Sequence, residues 1–391
     1  MRNILLTIVG VLALIGTFTG CDRIPKVVTP EKGVAPETID TVKIGFLASG
    51  SRVTYPNGAK IAVAEINATG GLLGVPIELV TEVGIPTPEA AVEVASRMIL
   101  DDGVIALVGP NRSAHAIPIG ALATEHSLPM ITTTATNPTL TDSSNFVFMA
   151  AFTDAYQGAV MAKFARTELG LTSVALLTQS GEIYSEGISE FFVTNFTAAG
   201  GTIAAREFYE IVDTDFTEQL TRIAAAAPEA LFIAGWVYQI GPITQQAKSL
   251  PLLNAAGEPT LLLGTDTWDN SILLDNADAE IEGSFFSGHF SAATDKPIGK
   301  AFVEAYQAEY GELPLGGHAV SYDATKVMLA AIERAGSFDG EAIRAQIAAT
   351  ENYIGATDIA SYDENRHPIK SAVIFTIKNG KKQFHKQIDP F

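Results

Sequence analysis

Two neighbouring segments decide the fold: IALVGPNRS at 105–113 and LPMITTTATNP at 128–138, separated by an Ala-rich run ending at Glu125. Each begins as a short apolar run and stops at small polar residues. That pattern suits buried parallel strands whose carboxyl ends open into a crevice. Open α/β sheets bind ligands at such crevices. Gly109-Pro110 forces a turn after the first strand, and Ser113 stands as the expected N-cap of a helix over 114–125. A helix start offers unpaired N–H groups, and the serine hydroxyl adds a donor, so a carboxylate can dock there. Thr134 and Thr136 flank Ala135 before Asn137-Pro138 breaks the chain, and their amides and hydroxyls are placed to face the same crevice. On these residues alone, ordinary capping and a Thr-rich turn are the simpler account; the rest of the chain changes that balance.

Working outward, strand 41–47 leads into a helix over 57–68 that turns Ile61, Ala62 and Ile66 inward and Lys60 and Glu65 outward. Thr69-Gly70-Gly71 stops it, a strand runs through Val83, and Pro88 sits in the first turn of the next helix. Thr41 to Ile131 therefore alternates strand and helix, as a doubly wound parallel sheet requires. The same grammar restarts after Asp154. Strands at 174–177, 202–208, 230–234 and 260–264 alternate with helices at 186–199, 216–227 and 240–250. Two such units imply two lobes with a cleft between them. Helices near 298–310, 318–335 and 340–350 follow, and 372–377 and 382–388 are strand-like.

The formal charge of −19 makes a surface that repels nucleic acid and anionic lipid headgroups, while leaving small ligands open. Residues 1–20 hold one early cation and an apolar run from Ile4 to Ile15, which reads as a secretory signal too short for a confident span. Phe18-Thr19-Gly20-Cys21 looks like a bacterial lipobox, with Phe in place of the usual Leu. The resemblance implies that Cys21, the only cysteine, carries lipid at the mature N-terminus. An unprocessed anchor with an incidental cysteine is the alternative. Asp22 resembles an inner-membrane retention signal, and residues 21–40 read as a tether. The folded part is expected at the outer face of the cytoplasmic membrane.

The usual catalytic patterns are missing: no zinc spacing among the histidines, no nucleophile elbow and no phosphate loop. Binding is favoured over catalysis, and no cofactor or metal is expected. At the strand ends of the second unit stand Tyr184, Trp236 and Asp266, with Asp269 as an alternative acid. Singly they read as packing or turn residues. Together they form an aromatic wall and a carboxylate facing the donors of the first unit, which suits a zwitterion.

The ordered set of IG to Gly50 at 44–50, AEIN at 64–67 with Gly70-Gly71, VG to Pro118 from 108, PMI through Thr141 from 129, Tyr184 with Glu186-Gly187, DFT at 215–217 and SYDA at 321–324 resembles the branched-chain amino-acid binding proteins of ABC importers. These are periplasmic binding proteins of the first structural type. The resemblance implies two Rossmann-like α/β lobes with parallel sheets, joined by a three-segment hinge around a ligand cleft. It places 41–153 with 290–370 in lobe 1 and 154–289 with 371–391 in lobe 2, with crossings near Asp154, His289 and Ser371. It also implies that Ser113, Thr134, Ala135 and Thr136 hold a ligand carboxylate and that Asp266 meets the ammonium. Tyr184 and Trp236 would close from lobe 2, and Tyr55 would lie near the ligand side chain. Asp154 matches a position that some members use for the ammonium. Pro86 and Arg112 stand where enteric members carry a disulfide, and Trp236 stands where Tyr is more familiar. The expected partners are a small amphoteric solute and ABC permease subunits. Amides, urea and aromatic acids stay open as ligands, as does a sensor role. A hydrolase built on Ser113 and His115 is disfavoured, because at i and i+2 their side chains diverge on a helix.

Overall fold

The computed structural model describes residues 40–250, 252–274 and 281–391. The signal, the lipobox with Cys21 and nearly all of the tether lie outside the described residues. The first sheet is built from β1 (Val42–Ser49), β2 (Ile77–Ile85), β3 (Ala106–Val108), β4 (Met130–Thr132) and β5 (Val147–Met149). Its order is β2-β1-β3-β4-β5 and every pairing is parallel. The connecting helices are α1 (Pro56–Ala68), α2 (Pro88–Arg97) and α3 (Ser113–Glu125). Side chains alternate across a strand. In β1, Ile44 and Phe46 accordingly join one buried cluster and Leu47 joins the cluster on the opposite face. Two covered faces explain why these strands read as nearly unbroken apolar runs.

The chain then leaves this sheet. Helix α4 (Asp154–Lys163) opens the second unit, with Thr153 Oγ1 accepting from the Tyr156 amide at 3.2 Å as its cap. Strands β6 (Ser173–Gln179), β7 (Thr202–Tyr209), β8 (Ala230–Ala234), β9 (Leu261–Gly264) and β10 (Phe285–Gly288) follow. They are linked by α5 (Ile183–Ala198), α6 (Thr217–Ala226), α7 (Val237–Ser249) and the short α8 (Ser271–Leu274). In β8, Leu231 and Ile233 face one core while Ala230, Phe232 and Ala234 face the other. The second core holds Phe192 of α5 stacked on Phe232, ring centres 4.3 Å apart.

The chain returns through α9 (Pro297–Tyr310), α10 (Gly316–Ala335) and α11 (Gly340–Ala348). A small antiparallel sheet of β11 (Glu351–Tyr353), β12 (Ile359–Tyr362) and β13 (Pro368–Ile369) comes next. Helix α10 and Ile359 complete the same core as Ile44 and Phe46. Helices α1 and α10 approach closely because Gly58 has no side chain: a Cβ there would lie 2.0 Å from the His318 carbonyl oxygen. Finally β14 (Ala372–Lys378) and β15 (Lys381–Ile388) join the second sheet, whose order is β15-β14-β10-β9-β8-β6-β7.

Here the expectation of two parallel sheets needs correction. The first is parallel, but the second is mixed, with antiparallel pairing at β10/β14 and β14/β15. The cause is local. Asn379 and Gly380 have φ of +54° and +65°, and two such residues make a tight hairpin turn that can join only antiparallel strands. Glu282 holds this turn, accepting from both amides at 2.9 and 3.0 Å. The chain thus passes between the two sheets three times: from β5 to α4, from β10 to α9 and from β13 to β14.

Candidate ligand-binding cleft

The carboxyl ends of β1, β3 and β4 form one wall of a cleft. After β3, Gly109 takes φ +91°, and a Cβ on it would lie 2.1 Å from the Leu47 carbonyl oxygen. Only glycine brings the turn this close to β1. Asn111 fastens the turn, its Oδ1 accepting from the Ser49 amide at 2.7 Å. Helix α3 then begins with Arg112 as the flanking residue and Ser113 as the first helical one. Ser113 is therefore not the cap that the sequence suggested. Its hydroxyl accepts from the Asn137 amide at 3.2 Å and ties the two halves of the wall together. The His115 and Ala116 amides both donate to the Arg112 carbonyl, at 3.1 and 2.9 Å, so the α3 start offers a ligand only the amides that precede them.

In the segment after β4, Ala135 and Thr136 are buried and Thr134 is partly exposed. The Thr136 hydroxyl has no hydrogen-bond partner, and its carbonyl accepts from the Asp154 amide at 2.8 Å. That bond sets Asp154, first residue of α4, beside the wall. Asp154 is fully buried and neither of its carboxylate oxygens has a partner. Burial drives its pKa well above the usual carboxylate range, reinforced by the charges of Asp266 and Glu182; the Thr136 hydroxyl nearby offsets part of this. One turn along α4, both side-chain amide atoms of buried Gln157 are also unpartnered.

The opposing wall comes from the second sheet. Asp266 lies in a short turn after β9. The Tyr184 hydroxyl donates to its Oδ1 at 2.7 Å, and His289 Nε2 lies 3.1 Å from its Oδ2. Burial works to raise the Asp266 pKa, but His289, through hydrogen bond and charge, and Tyr184 outweigh it and hold the carboxyl below its usual value. Tyr184 also touches Trp236, ring centres 5.3 Å apart. Trp236 flanks the start of α7, with its indole nitrogen buried and unpartnered.

The walls meet at two points. The Arg112 guanidinium carbon is 4.2 Å from the Trp236 ring centre, and Asn137 Nδ2 donates to the Ile183 carbonyl at 3.4 Å. Tyr55 is buried at the side of the cleft, edge-on to His318 at 5.7 Å, and a Cβ on Gly317 would fall 2.0 Å from its ring. Asp269 is committed elsewhere: it accepts from the Gly316 amide at 2.8 Å and pairs with Lys382.

The structure thus brings together Ser113, Ala135, Thr136 and Asp154 on one side and Tyr184, Trp236 and Asp266 on the other, with Thr134 and Tyr55 at the margin. Sequence reasoning missed Gln157 and His289. Gln157 was findable, being three residues from Asp154 and on the same helical face. Ser113 and His115 form no hydrogen bond with one another; His115 Nδ1 is buried and unpartnered, and burial lowers this histidine's pKa to about 4. Among the described residues no three His, Cys, Asp or Glu side chains gather as a metal site, and no helix is long and apolar enough to cross a membrane.

Comparison with known proteins bears on the fold. The periplasmic binding protein family model matches residues 41–382. The Leu/Ile/Val-binding protein BraC3 of Rhizobium johnstonii is 30% identical over 320 residues, covering 79% of this chain and 84% of the relative. Among solved structures, a leucine binding protein LivK from Thermotoga maritima is 35% identical with a TM-score of 0.81, covering 89% of this chain and 99% of that one. The branched-chain amino acid transporter substrate binding protein LivJ from Streptococcus pneumoniae, in complex with isoleucine, is 28% identical with a TM-score of 0.82, covering 90% and 100%.

Proposed function

The chain belongs to the periplasmic binding protein family, and on that footing we propose that it is the extracytoplasmic solute receptor of an ABC importer, capturing an amino acid by closure of its two lobes. The observation that carries this reading is the pairing of walls. One wall offers the α3 start and the free Thr136 hydroxyl, which suit a carboxylate. Beside it Asp154 presents two unpartnered oxygens, which suit an ammonium, and Tyr184 and Asp266 close from the far side. Ser113 orders the carboxylate site through Asn137. Trp236, Tyr55, Thr134 and Ala135 enclose the rest.

Contacts made by both lobes favour the closed form by the difference in affinity between closed and open states. The three chain crossings, near Asp154, His289 and Ser371, serve as the hinge. They divide the chain into 41–153 with 290–370 and 154–289 with 371–391. The closed form docks on permease subunits, and lipid on Cys21 holds the receptor at the outer face of the cytoplasmic membrane.

A thermal-shift panel of amino acids, amides, urea and aromatic acids on the purified protein tests this. A ligand at a thousandfold excess over its dissociation constant adds ~4 kcal/mol, a shift of several degrees. If only compounds lacking an ammonium group shift the transition, the amino-acid reading fails.

A further inference from the structure

Every arginine described in this structure has a hydrogen-bonded acceptor except two. Arg97, Arg206, Arg222 and Arg344 pair with carboxylates, and Arg166, Arg334 and Arg366 donate to backbone carbonyls. Arg52 and Arg112 do neither among the described residues. Each instead lies against an aromatic ring: Arg52 is 5.6 Å from the Tyr55 centre and Arg112 is 4.2 Å from that of Trp236. Arg52 is only 7% exposed. In a protein with 44 acids, a buried guanidinium without a carboxylate is a costly arrangement to leave unmatched. The acid whose charge acts on Arg112 is Glu182, and its carboxylate already accepts from the amide and hydroxyl of Ser185.

Both arginines line one cavity of about 20 Å³ at the mouth of the cleft, together with Trp236 and Ser49. The Ser49 hydroxyl is buried and has no partner. Trp236 belongs to both this cavity and the proposed ligand site, and Tyr55 lies beside Arg52. Thr134 lies against the Tyr55 hydroxyl, and Arg52 lies over the same ring. A solute whose α-carboxylate sits between Ser113 and Thr136 extends along Tyr55 toward Arg52.

We propose that Arg52 and Arg112, with Ser49, read an anionic group at the distal end of the ligand, so that the solute class is amino acids with a side-chain carboxylate. The inference rests on the amino-acid reading above. A guanidinium presents a planar fork of donors that matches a carboxylate. The cavity is close in size to one or two water-sized groups, which suits two carboxylate oxygens better than a ring or a branched alkyl group. The aliphatic residues bound by relatives leave Arg52 unmatched on closure.

The test is isothermal titration of the purified, ligand-stripped protein with L-glutamate, L-aspartate, L-glutamine, L-asparagine and L-leucine. The expected result is that the acids bind about tenfold or more tightly than their amides. Arg52→Met should bring that ratio toward one, the acids losing several-fold more affinity than their amides. Arg112→Gln, at a partly exposed position, gives a second reading should Arg52→Met not fold, and lowers the ratio in the same sense. Tighter binding of leucine than of the acids overturns this proposal and leaves the amino-acid receptor standing, as does an Arg52→Met variant that weakens every amino acid alike. Failure of every amino acid to bind overturns both.

Discussion

Arg112 and Trp236 stand on opposite walls of the cleft, the guanidinium carbon 4.2 Å from the indole centre. A cation over a tryptophan face contributes ~0.5–2 kcal/mol, and here the contact exists only when the lobes are together. Opening must break it. Arg112→Ala should therefore speed ligand release by roughly 2- to 30-fold while changing the association rate much less. Stopped-flow fluorescence of displacement measures both rates. An unchanged release rate removes the latch from the account.

The two buried acids of the cleft predict opposite behaviours in the ligand-free protein. Asp154 has no partner for either oxygen, whereas Asp266 has two. Asp154→Asn removes a buried carboxyl whose ionised form nothing in the free cleft compensates, so the free protein should melt at the same temperature or higher. Binding of the ammonium should weaken by ~2–5 kcal/mol, at least about 30-fold. Asp266→Asn disturbs a satisfied network and should destabilise the free protein by ~1–3 kcal/mol. Calorimetry with and without ligand separates the cases. A loss of free-protein stability in Asp154→Asn counts against the assignment of the ammonium to Asp154.

His318 sets part of the acid limit of stability. Its Nδ1 accepts from the Leu315 amide at 3.0 Å and its Nε2 lies 3.0 Å from Thr54 Oγ1, which fixes the neutral ring with the proton on Nε2. Burial lowers its pKa to about 4 from 6.5. The folded state thus prefers the uncharged ring, and the unfolded chain takes up the proton first as pH falls. The contribution is whole above pH 6.5 and is lost between 6.5 and about 4, by up to ~3 kcal/mol. His318→Gln should flatten the dependence of the denaturation midpoint over that window. An unaltered slope would show that His318 is not the group responsible.

Phe192 gives a stability prediction that binding should not share. It stacks on Phe232 at 4.3 Å and on Phe196 at 5.4 Å, fully buried in the second lobe. Phe192→Ala should cost ~3–5 kcal/mol in denaturant unfolding, with ligand affinity unchanged in the fraction that stays folded.

Much of the scaffold was legible because the buried strands β1, β3, β4, β6, β8 and β9 write apolar runs bounded by small or polar residues. The crevice at Ser113 and Thr136 was legible for a related reason: those runs stop abruptly at small polar residues. Strands β5, β10 and β11 to β13 are two to four residues long and leave no periodicity to read. The antiparallel ending was legible in principle, since Asn379-Gly380 is a strong hairpin signal that the strand pattern alone did not use. What no local pattern carries is partnership. Asp266 is hydrogen-bonded by Tyr184 and approached by His289, 82 and 23 residues away, so its occupancy and the solitude of Asp154 emerge only on folding. Arg52 is hidden for the same reason, for an arginine beside Gly50 and Ser51 reads as a solvated loop.

Strand β14 closes the edge of β10, yet the chain reaches it only after building α9 to α11 and the small sheet of the first lobe. The second lobe is therefore discontinuous, and until those intervening elements are in place β10 is an unpaired edge. On this topology, lobes that move against one another for ligand closure should still fold as one cooperative unit. Loop closure between β10 and β14 is a late, non-local step whose entropy is offset only when both bodies are formed. The melting of this receptor in a calorimeter should then be a single transition rather than two, and a chain cut at Gly288 should yield an aggregating fragment instead of a free-standing lobe.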